Sequence, residues 1–133
     1  MDPIQQIGAV LYGPGDAMQG ASMTDEEALA YALNAFADST FCLVRDWIWL
    51  DLDIPDRLQG ELQLAGVKPV VMFAHNIVYD SARRWGESGA FVRSTALRSF
   101  SEGFVFQTRN TNYLLLGDGV RKRTDLKTLG LLI

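Results

Sequence analysis

Phe41-Cys42-Leu43-Val44-Arg45-Asp46-Trp47-Ile48-Trp49-Leu50-Asp51-Leu52 is the stretch whose reading decides the fold. Trp47, Trp49 and Asp51 fall on one side of it, and Ile48, Leu50 and Leu52 on the other. That period of two predicts a strand. Residues 69–79 are apolar on both faces, with Val71, Phe73 and Ile77 opposed to Val70, Met72 and Val78, as a central strand requires. Shorter strands are expected over 90–97, 103–108 and 112–116. Arg109-Asn110-Thr111 joins the last two as a hairpin turn, because Asn tolerates left-handed backbone. Gly117-Asp118-Gly119 reads as another turn.

Upstream of the first strand the pattern is helical. Asp2-Pro3 starts a helix: a capping carboxylate, then Pro where its missing N–H costs nothing. Ile4, Ile7 and Leu11 form its apolar stripe, and Gly13-Pro14-Gly15 ends it. Thr24-Asp25-Glu26-Glu27 is a capping box for a second helix to about residue 36, with Leu29, Ala32, Leu33 and Phe36 as its stripe. Pro55 opens a third, with Leu58, Leu62 and Leu64 apolar, Gly60 weakening it and Gly66 ending it. Asp53 or Asp56 is expected to cap it or to favour its positive end. The expected fold class is α+β: one domain over 1–133, N-terminal helices packed on a C-terminal, mainly antiparallel sheet.

Composition supports a globular chain: 48% hydrophobic and 21% charged residues in 133. The charge is unevenly placed. Residues 1–67 carry eleven carboxylates against Arg45 and Arg57, a net −9, and residues 68–133 carry ten Lys and Arg against five carboxylates, a net +5. Such a division marks either a partner surface or two halves docking on each other. The start Met1-Asp2-Pro3 lacks the basic and apolar regions of a signal peptide, the apolar runs are too short for a membrane span, and Cys42 is the single cysteine. The expectation is a cytoplasmic protein without membrane attachment.

Several stretches between Trp47 and Lys122 and just before them carry a resemblance: Cys42-Leu43-Val44-Arg45-Asp46-Trp47, Ala74-His75-Asn76, Asp80-Ser81, Val92-Arg93-Ser94-Thr95, Thr108-Arg109-Asn110-Thr111 and Tyr113-Leu114-Leu115-Leu116-Gly117. Together they resemble a small family of uncharacterised proteobacterial and prophage proteins classed as a domain of unknown function. The resemblance spans roughly the last two-thirds of the chain. It implies a bacterial or phage origin and brings no activity, cofactor or catalytic residue.

Each candidate for chemistry has a plain structural reading. His75, the only histidine, shares strand parity with Phe73, Ile77 and Tyr79, and Asp80 has the opposite parity; it reads as a half-buried structural histidine rather than a base. Cys42 sits among apolar neighbours and reads as a core thiol. Asp51, Asp53 and Asp56 lack the spacing of a calcium loop. Gly13-Pro14-Gly15 with Gly20 lacks the Lys-Ser/Thr of a phosphate loop. Trp47 and Trp49 read as core. Leu129-Gly130-Leu131-Leu132-Ile133 must pack on its own domain or on a second copy, so a homodimer is a candidate assembly. No catalytic residue, metal set or cofactor is assigned.

The basic residues remain. Arg121-Lys122-Arg123 follows a turn, Arg83-Arg84-Trp85 sets cations beside an aromatic, and Arg93, Arg98 and Arg109 add more, although Arg93 and Arg98 differ in strand parity. The candidate binding residues are Arg93, Arg109, Asn110, Arg121, Lys122 and Arg123. The leading expectation is a small non-catalytic binding protein of accessory or inhibitor type, acting through a protein partner. The alternative is a nucleic-acid-binding module using the Arg-rich C-terminal sheet. A hydrolase centred on His75 is third.

Overall fold

The strand read first is the axis of the molecule. In the computed structural model, which describes residues 2–84 and 91–131, it forms β2 (Phe41–Asp53). On one edge β2 pairs antiparallel with β3 (Val70–Asp80), setting Trp47 opposite Ala74 and Trp49 opposite Met72. On its other edge two strands lie end to end, both parallel to it. The first half pairs with β7 (Asn112–Leu115) and the second with β8 (Gly119–Asp125).

The chain breaks stride where β7 gives way to β8, and β2 breaks stride beside it. Asp46 has φ 53° and Gly117 has φ 66°. The interruption at Asp46 lets Cys42 and Val44 before it share one core with Trp47 and Trp49 after it. Trp47 fills the gap: its indole N–H donates to the carbonyl of Leu116 at 3.2 Å. Gly119 has to be glycine, because a Cβ there would collide with the Trp47 ring and its carbonyl.

The sheet curls until it closes. The short β4 (Val92–Arg93) pairs with β3, and the chain after it stays on that edge: the amides of Ser94 and Leu97 donate to the carbonyls of Met72 and Val70, each at 2.8 Å. It continues as β5 (Ser99–Ser101), which pairs with β6 (Val105–Gln107), and β6 pairs with β7. Every ladder from β3 round to β7 is antiparallel, and the hairpin of β6 and β7 lies where the sequence places it. The parallel closure through β2 is the part not foreseen. Inside the ring Trp49 meets Phe100 and Phe106 edge-on, with centroids 5.0 and 5.4 Å apart. A further short strand, β1 (Asp16–Met18), pairs with the outer edge of β8.

Helices cover two areas of the outer face. α1 (Pro3–Tyr12) is capped by Asp2, whose carboxylate accepts from the Gln5 amide at 2.9 Å. With the short α4 (Leu126–Gly130) it buries Val10 and Leu129 over Ile48, Leu50 and Val71. α2 (Asp25–Ala35) has the expected capping box, with Thr24 and Glu27 bonded reciprocally. It buries Ala28 and Ala32 over Phe41 and Leu114, while Leu33 is exposed. Alanines let that helix approach the sheet closely, and the bulkier Leu33 turns outward. Ile4 likewise lies outside the core. α3 (Asp56–Leu64) is a helix as expected, but it buries none of its residues and Leu64 is 92% exposed. Pro55 stands at its N-cap without a side-chain bond, so neither Asp53 nor Asp56 caps it, but Asp56 lies in the first turn at the positive end of the helix. Among the described residues no helix is long and apolar enough to cross a membrane. The architecture is α+β. Trp85, Ala90, Leu132 and Ile133 lie outside the described residues.

Candidate functional site

The basic triplet lies on a strand instead of following a turn into solvent. On β8, Arg121 and Arg123 point one way and Lys122 the other. The parallel register brings β8 against the acidic end of β2, so Arg121 donates twice to Asp51, at 2.6 and 3.0 Å, and Arg123 pairs with Asp53. Arg121 also lies over the Trp49 ring at 5.4 Å. Lys122 donates to the Val10 and Ala9 carbonyls at 2.6 and 3.3 Å, which places a cation at the C-terminal end of α1. Its burial there lowers its pKa. The two charge halves of the chain therefore meet inside one sheet. Asp51 and Asp53 each hold an arginine.

The other candidates are dispersed. Asn110 organises its own turn: its side-chain oxygen accepts from the hydroxyls of Thr108 and Thr111 at 3.2 and 3.1 Å. Arg109 extends from that turn to the Ala65 carbonyl at 3.1 Å, just past α3. Arg84 folds inward onto the buried Asp80, through Nη2 at 3.0 Å and Nε at 3.2 Å, and onto the Thr111 hydroxyl at 2.8 Å. Burial, reinforced by the charge of Asp80, pushes the Cys42 thiol beside this pair up to about 12, which removes it as a nucleophile near neutral pH. Burial likewise pushes the Tyr113 phenol up to about 12.

Arg93 is the exception, because it lies beside a group the sequence did not reveal. Beside the core that α1 and α4 cover, which takes in Phe73, the outer face of β3 carries a further group. There the rings form a row. Tyr12 stacks on His75 at 6.0 Å, His75 meets Phe73 edge-on at 5.1 Å, and Phe73 stacks on Phe91 at 5.7 Å. Arg93 is the direct cross-strand partner of Phe73. Phe73 is buried beneath its neighbours, while Tyr12 is 80% and Phe91 52% exposed.

His75 is half-buried, as expected, but it does not share its face with Ile77. The alternation of β3 slips between Ala74 and Ile77, opposite the interruption at Asp46, and Ile77 turns into the ring. Among the described residues no carboxylate, hydroxyl or thiol hydrogen-bonds to His75. The row therefore offers flat apolar area, one guanidinium and the polar edges of a tyrosine and a histidine. That is the equipment of a contact surface, and a proton-transfer site would need an oriented partner. No sequence signal joins Tyr12 to Phe91; only the fold does.

No curated protein and no solved structure matches the chain. One family model does, over residues 19–130, so its match takes in α2 as well as the stretches that carry the resemblance, and the chain belongs to the family described as domain of unknown function DUF6957.

Proposed function

We propose that this chain is a non-catalytic binding protein that acts on a protein partner through the row Tyr12, His75, Phe73 and Phe91 with Arg93. The observation that carries the reading is the exposure of Tyr12 and Phe91 at the two ends of one row of rings. Aromatic and arginine side chains concentrate binding energy at protein interfaces because they bury large, rigid area and keep a polar handle. The setting that fits is bacterial or phage-borne and cytoplasmic. A single buried thiol suits a reducing compartment, and the role proposed is of accessory or inhibitor type. The nucleic-acid alternative loses support because Arg121, Lys122 and Arg123 are engaged within the fold.

Capture on the tagged chain from its source cells, followed by mass spectrometry, tests the reading. Tyr12→Ser/Phe91→Ser removes the exposed rings, and Leu33→Ser, an exposed position on α2, serves as control. The double variant is expected to lose the captured protein by at least ~30-fold, as two truncations of about 1 kcal/mol each require. Its stability should stay within about 1 kcal/mol of the parent, since both rings are largely outside the core. Capture undiminished in the double variant, or abolished by nuclease, would overturn the proposal.

A further inference from the structure

Where the chain enters β3 the fold gathers a second group. The Lys68 amide donates to the Leu97 carbonyl at 2.8 Å, and Arg98 comes next in the chain. The Arg98 amide donates to Gln107 at 2.7 Å, which draws the end of β6 alongside, and Arg109 follows two residues later. Arg109 then closes the corner by its bond to Ala65. The backbones that carry three cations thus meet beside the end of α3, and Arg109 reaches it with its side chain. All three are exposed. Among the described residues none of them makes an ion pair, whereas Arg45, Arg84, Arg121 and Arg123 each do.

α3 itself is unusual beside them. A helix of nine residues is marginal on its own in water, yet this one buries no residue and leaves Leu64 in solvent. We infer that the corner formed by Leu64, Lys68, Arg98 and Arg109 docks an acidic protein segment that carries an apolar residue. Carboxylates of that segment meet the three cations, and the apolar residue covers Leu64. Arg109 spends one donor on Ala65 and retains a guanidinium edge for a bidentate carboxylate. Charge complementarity selects an acidic partner, and Leu64 selects protein over nucleic acid. A single strand needs rings to stack on, and Phe100, the nearest ring in sequence, is half-buried with its edge-on contact spent on Trp49. The corner stands apart from the row at Tyr12, and the inference does not depend on that row.

Fluorescence anisotropy on the full chain tests it with two labelled probes: a peptide of alternating Glu and Leu about a dozen residues long, and an oligouridine of the same length. Lys68→Gln/Arg98→Gln is the informative variant, because among the described residues neither side chain makes a hydrogen bond. The peptide is expected to bind the parent, to lose roughly tenfold or more in that variant, and to weaken between about 50 and about 300 mM NaCl as screening grows. Leu64→Ser should weaken it several-fold. Lys127→Gln, on α4, and Tyr12→Ser/Phe91→Ser should not change it. Absent peptide binding, binding indifferent to Lys68→Gln/Arg98→Gln, loss in the Tyr12/Phe91 variant, or tighter binding of oligouridine would each overturn the assignment.

Discussion

Replacing Gly119 by alanine would put a methyl group where Trp47 already stands. The new Cβ falls on the indole ring and on the Trp47 carbonyl, both fixed: the side chain is 1% exposed and its N–H is bonded to Leu116. Overpacking of this kind costs about 1–3 kcal/mol. If the ring swings away, the indole bond is lost as well, at about 1 kcal/mol. The expected loss is therefore about 3 kcal/mol, a large share of a stability of roughly 5–15 kcal/mol. Urea unfolding followed by tryptophan fluorescence should show the midpoint falling by about 1–2 M. Gly60→Ala supplies the contrast. Gly60 lies within α3 with nothing within 4 Å of its would-be Cβ, so the same substitution should stabilise, by about 0.5–1 kcal/mol. If Gly119→Ala unfolds within about 0.5 kcal/mol of the parent, Trp47 does not fill the break between β7 and β8 and the account of the ring fails.

Two further outcomes follow from buried and capping groups. Cys42 and Tyr113 are both held up to about 12, from 9.0 and 10.0, so the folded chain keeps protons that the unfolded chain releases. Their contribution to stability is full below about pH 9 and is lost as the pH rises toward about 12. Urea midpoints should therefore decline above pH 9, and Cys42→Ala should make that decline shallower; equal declines in parent and variant would remove Cys42 from the explanation. Thr24→Ala removes one half of the capping box and should cost about 1 kcal/mol in the same assay.

The parts of the fold legible in the sequence are those specified locally. Asp2-Pro3 and Thr24 to Glu27 announce helix starts because a cap is a contact between residues three apart. The β6–β7 hairpin is legible because its turn chemistry sits between its strands. What failed depends on distant partners. No strand is expected over 119–125, where a turn leads into Arg121-Lys122-Arg123, and the segment becomes β8 with Asp51 and Asp53 of β2 receiving its arginines. The slip opposite Asp46 leaves no mark in composition, so the parity that joined His75 to Ile77 failed. Leu29, Ala32 and Phe36 of the expected stripe of α2 do pack on the core, but Leu33 is exposed and Ala28 buried in spite of their hydropathy, because closeness of approach decided the face. The candidate surface was the least legible, since its rings come from α1, β3 and the segment before β4.

The charge division of the chain takes on a definite meaning once β8 is placed. Pairing of Arg121 with Asp51 and of Arg123 with Asp53 cancels charge where the halves touch. The uncancelled charge is pushed apart. The first turn of α2 keeps Glu26 and Glu27 beside Asp25, itself held by Arg45, and the end of α3 keeps Lys68, Arg98 and Arg109. A molecule of net −4 then still presents a local positive corner, and such a field orients an approaching acidic surface before contact. Apolar area and steering charge occupy different parts of β3 and its neighbours. Ring truncation should therefore act on the partner held at the row, and loss of the cations on the acidic segment held at the corner and on the salt dependence of its binding.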